Sequence, residues 1–176
     1  MRCYHFGNYY LSSIQQGVQS AHAQMELFNK YQEIDLYEYS ESTGLNPPEH
    51  IVRRANLAKM LFDWSKHHKT MICLNGGNNK DLLEIKDLLT QNDTYPWSYF
   101  CEDEDSLGSI ITNVAIVLPE KIYSAAEKIR NKQAYFNENN LIIQIDEYDK
   151  EIQSEYTFTD FEVKLIQTLN KCQLAR

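Results

Sequence analysis

The chain has 176 residues, enough for one domain with a buried core. A net charge of −8 and a pI of about 5.1 repel phosphate backbones, which excludes long-range DNA binding and attachment to membranes through a basic surface. A hydrophobic content of 43%, with Tyr 12 and Phe 7, is too apolar for a disordered chain, and no stretch approaches a membrane span of about 20 apolar residues.

Residues 2 to 7 alternate as a short strand ending at Gly7. Ser12 and Ser13 are N-cap candidates for a helix from about Ile14 to Tyr31. Ile14, Val18, Ala21, Met25 and Phe28 form an apolar stripe at helical period. Gln15, Gln19, His22 and Glu26 form a polar stripe that can point at one small site. Gly17 and Ala21 keep the neighbouring surface low, so a second element can approach closely. Residues 33 to 46 suit a short strand or an ordered loop.

Asn46-Pro47-Pro48-Glu49 opens a helix that continues to about His67, its buried side supplied by Val52, Ala55, Leu57, Ala58, Leu61, Phe62 and Trp64. Lys69 to Leu74 is a buried strand, broken by Asn75-Gly76-Gly77-Asn78. Lys80 to Gln91 is helical through Leu82, Ile85, Leu88 and Leu89. Pro96 to Cys101 and Ile110 to Leu118 are strands, joined too closely for a helical crossover. They pair antiparallel or diverge, so the sheet is mixed. A helix follows from about Glu120 to Phe136, then a weak strand at Leu141 to Ile145 and a last helix capped at Thr159-Asp160. The expected fold is α/β: a small mixed sheet of about four strands flanked by helices. It occupies residues 1–139, with a strand/helix extension at 140–176 packed on it.

Chemistry concentrates at three places. His22, beside Gln15 and Gln19, suits a general base or a ligand contact, with an acidic partner from residues 102 to 105; the alternative is a structural histidine paired with Glu26 one turn along. Asn75, Gly76 and Gly77 lie between a strand and a helix, where free N–H groups can hold an anion, with Lys80 nearby; the alternative is a tight turn with an asparagine cap. Glu102-Asp103-Glu104-Asp105 is half of an acid–base or metal site, or a solvated loop. No metal-ligand spacing emerges from the histidines, and no cofactor motif is present. The four cysteines form no CxxC pair; Cys73 and Cys101 read as small buried thiols in a reducing compartment. The opening MRCYHFGNYY lacks the apolar core of a secretory signal, so a cytoplasmic location is expected.

Gln19-Ser20-Ala21-His22-Ala23, on a helix after a first strand, resembles the signature of type II peptidyl-tRNA hydrolases. The order of elements through residue 136 is similar, and Phe100 to Pro119 resembles that family's closing region. The resemblance implies His22, Asp103 and Thr112 as catalytic residues. It also implies a cleft of Gln15, Gln19, His22, Asp105 and Thr112 that takes a nucleotide-like small molecule or a tRNA or RNA end. YHFGNYYLSSIQQGVQSAH also resembles small proteins of T4-like tailed phages, which implies action in a bacterial cytoplasm, with a host protein as a further partner. Two lysines of the family are absent: Gln15 and Asn75 stand in their places. Without those cations an oxyanion or phosphate loses its counter-charge. The leading expectation is therefore a catalytically degenerate binding protein, with an active hydrolase and a module inhibiting a host enzyme as alternatives.

Overall fold

The computed structural model describes residues 1–102, 108–138 and 157–175, with side chains excluded for 132–138. It divides into two compact units, Met1–Leu118 with Leu174–Arg176, and Pro119–Gln173. The first unit is a four-stranded mixed sheet of order β2-β1-β4-β3. Its strands are β1 (Arg2–Gly7), β2 (Met71–Asn75), β3 (Trp97–Cys101) and β4 (Ile111–Leu118). β1 runs parallel to β2 and antiparallel to β4, and β3 pairs antiparallel with β4. The α/β class and the mixed sheet are as expected.

α1 (Ser13–Lys30) starts at Ser12, whose side chain accepts from the Gln15 N–H while Gln15 reaches back to the Ser12 N–H. The apolar stripe that marks α1 in the sequence is not its buried face, although Phe28 at its end packs against the core. Gln16, Gln19, Ser20, Ala23 and Leu27 face inward, whereas Ile14, Val18 and Met25 are 81%, 48% and 60% exposed. Ala23, Leu27 and the following Tyr31 meet Cys3, Ala115 and Val117 of the sheet in a core completed by α3 (Glu49–Asp63) through Leu57, Ala58 and Leu61, with Trp64 just beyond. Residues 33 to 46 are neither strand nor loop throughout: α2 (Leu36–Thr43) lies among them. Asp35 caps it by accepting from Tyr37 and Glu38 N–H, and Gly44, at φ 67°, ends it in the left-handed region. A π-helical turn, Trp64–His68, leads into β2. Here the expectation of a buried strand is corrected. β2 is an edge strand, and Leu74 is the residue of it that is fully buried.

α4 (Asn79–Thr90) covers the other sheet face with Leu82, Ile85 and Leu89. β4 is buried at every position, as a central strand must be. In the second unit α5 (Glu120–Glu138) packs on α6 (Asp160–Lys171). Lys121 pairs there with the buried Glu162, and Arg130 donates to the Leu169 carbonyl at 3.2 Å. Thr159 caps α6 as expected. The strand expected at Leu141 to Ile145 lies outside the described residues. Among the described residues no helix is long and apolar enough to cross a membrane.

Candidate functional site

The site is set by an irregularity in the sheet. Phe100 pairs with Asn113 but Cys101 pairs with Ile111, so Thr112 is an extra residue in β4. Such a bulge breaks the in–out alternation and re-aims a side chain. Thr112 and Asn113 consequently both reach α1. The Thr112 hydroxyl donates to Gln19 Oε1 at 2.9 Å, and Asn113 Nδ2 donates to Ser20 Oγ at 3.1 Å.

Gln19 is buried and held at both ends of its amide. Its carbonyl accepts from Thr112, and its Nε2 donates to Glu102 Oε1 at the end of β3. Of residues 102 to 105, expected to supply an acidic partner for His22, Glu102 is described, and it is bonded to Gln19. Asp103 and Asp105 lie outside the described residues. His22, three residues along α1, is exposed and stacks on the Phe100 ring, centroids 4.6 Å apart and 16° from parallel. Gln15 is elsewhere in its bonding, spent on the cap with Ser12. The polar stripe therefore divides: Gln19 goes inward to Thr112 and Glu102, His22 goes to Phe100, and Gln15 goes to the helix start.

The turn after β2 is closed on itself. Gly76 N–H donates to Gly7 O, Gly77 N–H to Asn75 Oδ1, and Asn78 N–H to Asp81 Oδ2. Asn78 Oδ1 accepts from the Lys80 and Asp81 N–H groups. The N–H groups of Gly76, Gly77 and Asn78, which an anion in this turn would need, already have partners within the protein, as the asparagine-capped turn requires. Two nearby cations have partners away from His22: Arg53 pairs with Glu49 and Asp93, and Lys80 lies near Glu84.

Comparison with protein families and with curated proteins gives no match.

A second polar cluster escaped the sequence reading. On the α1 side of the sheet, Cys3 Sγ lies 3.3 Å from His5 Nε2, and His5 Nδ1 lies 3.1 Å from Asn113 Oδ1. Asn113 Nδ2 donates to Ser20 Oγ, which lies 3.8 Å from Cys73 Sγ. Because Oδ1 of Asn113 can only accept, Nδ1 of His5 carries the proton, and Nε2 accepts from the Cys3 thiol. The residue types match a thiol–imidazole–amide nucleophile, but the physics opposes it. Cys3, His5 and Asn113 are fully buried, and burial pushes the Cys3 thiol up and the His5 imidazole down to about 4. A reactive thiolate needs the opposite shifts and an open path. The cluster is therefore structural. Its one sequence signal was the alternation of RCYHFG, which puts Cys3 and His5 on the same face. Cys73 and Cys101, expected to be buried, are half-buried.

Proposed function

We propose that this chain is a catalytically silent relative of the type II peptidyl-tRNA hydrolase fold, and that it works by seating a partner protein, in the phage setting a host protein, on the outer face of α1. The observation that carries this reading is the exposure of Ile14, Val18 and Met25 on the side of α1 away from its core contacts. An apolar stripe left in water alongside the small Gly17 and Ala21 suits close docking of an apolar partner element. The relationship to the hydrolase fold is supported by the element order through β4 and by the meeting of Gln19 with Thr112. Silence is supported by Gln15 and Asn75, whose side chains close a cap and a turn where the family has lysines.

The test is capture of partners from bacterial lysate with purified protein. Val18→Glu with Met25→Glu, both at exposed positions, is expected to abolish capture and leave the melting temperature within a few degrees of wild type. Capture that persists in the double variant would remove the proposal. A nucleotide-like ligand or RNA end is the competing occupant, favoured by the open His22–Phe100 stack and the Glu102 carboxylate. The same experiment separates the two, since binding through that stack is lost in His22→Ala and survives in the double variant. On a model peptidyl-tRNA, hydrolysis by the wild type is expected to equal that by His22→Ala; a rate that drops in the variant would restore the enzyme reading.

A further inference from the structure

The sheet ends on one side at β2, whose sequence Met-Ile-Cys-Leu-Asn contains neither charge nor proline. Natural edges are commonly blunted by such residues, because an open row of N–H and C=O groups draws in another strand. This edge is blunted by the chain itself. Leu174 forms an antiparallel bridge with Leu74, and the Ala175 N–H donates to the Cys73 carbonyl at 3.0 Å. The contact is made by main chain: the Leu174 side chain is 63% exposed. Leu174–Arg176 belong with the sheet unit, although the preceding Pro119–Gln173 form the other one.

We propose that the outer edge of β2 is a strand-addition site, held in the free protein by Leu174–Ala175 and open to an extended segment of another protein running antiparallel to β2. The chain's own tail fixes the orientation and the register. Continued from Leu174 opposite Leu74 and Ala175 opposite Cys73, an added strand would pass Ile72 and Met71, the latter 40% exposed. The partner is an extended peptide recognised through its backbone, because main-chain bonds supply the affinity in strand addition and β2 carries no charge that would repel either sign. Among the described residues the pairing is one bridge and one hydrogen bond, favoured by being tethered and displaceable by a segment that pairs along the whole strand.

The probe is a fluorescein-labelled peptide of residues 170–176 with Cys172→Ser, followed by fluorescence polarisation. It is expected to bind a variant lacking residues 174–176 about tenfold more tightly than the full chain, where the tethered tail competes. Ala175→Pro removes the donor to Cys73 without shortening the chain and is expected to behave like the deletion. If the deletion impairs folding, judged by circular dichroism, the proline variant decides. N-methylation of the peptide nitrogen equivalent to Ala175 is expected to abolish binding. Absence of peptide binding to the opened variants, equal binding to all proteins, or undiminished binding of the N-methylated peptide each overturns the proposal.

Discussion

Acidification from pH 7 to below pH 4 is expected to remove about 3 kcal/mol of stability through His5 alone. Burial holds its imidazole at about 4 in the folded chain against 6.5 ordinarily, with the Asn113 hydrogen bond opposing in part. Between those values the unfolded chain binds a proton that the folded chain refuses, so stability falls as pH falls through the window. The interval, at about 1.4 kcal/mol per pH unit, gives the figure. Structure explains the refusal. Nδ1 already donates to Asn113, so a second proton would sit on Nε2, facing the Cys3 thiol, and would turn an accepted hydrogen bond into two opposed donors. Urea unfolding of wild type and His5→Gln at half-unit intervals from pH 7 to 3.5 checks this. The variant starts less stable, so the comparison is of slopes. The wild-type curve should carry an extra fall between pH 6.5 and 4 that the variant lacks. Parallel curves would show that His5 titrates normally in the folded chain.

Periodicity made the framework legible. Alternation in RCYHFG, the β-like run before Pro119 and the 3.6-residue spacing of the helices each identified an element within a few residues of its observed bounds. α2 was missed, its residues read as a strand or a loop for want of periodicity, although the Asp35 and Gly44 that cap it stand in the sequence. The face assignment of α1 could not be read the same way. An apolar stripe marks a helix, but the face turned to the sheet is chosen by what the sheet offers. Here the bulge at Thr112 and the buried Asn113 offer polar atoms, which Gln19 and Ser20 satisfy. A buried polar layer therefore took the inner face, and the apolar residues were left outside. The bulge itself has no local sequence signature, since it is a mismatch between two strands. That is why Thr112 was identified as a site residue only through the family resemblance, and why the partners of Gln15, Gln19, His22 and Glu102 required the fold.

The two glycines Gly76 and Gly17 are expected to respond to alanine in opposite directions. At Gly76 a Cβ would stand 2.6 Å from Leu82 Cδ2 and 2.9 Å from Phe6 Cβ, with the Phe6 carbonyl carbon at 3.1 Å. Leu82 can turn, but Phe6 is in β1 and its backbone cannot retreat without disturbing the bond from Gly76 N–H to Gly7 O. Gly76→Ala should therefore cost about 2 kcal/mol, the range of an overpacked core position. The requirement for glycine after β2 is then one of close packing between β1 and α4, with no phosphate needed to explain it. At Gly17 a Cβ would meet nothing within 4 Å. Gly17→Ala should raise stability by roughly 0.5–1 kcal/mol, because mid-helix glycine is conformationally loose. Chemical denaturation of both variants decides the signs. A destabilising Gly17→Ala would mean that the fold itself uses the low surface there. A stabilising one shows that α1 gives up stability at a position its own core does not need. In the docking proposed for the outer face of α1, that low surface, between Ile14, Val18 and Ala21, is where a partner's backbone would come close. The alanine variant should accordingly be more stable and capture the partner less well.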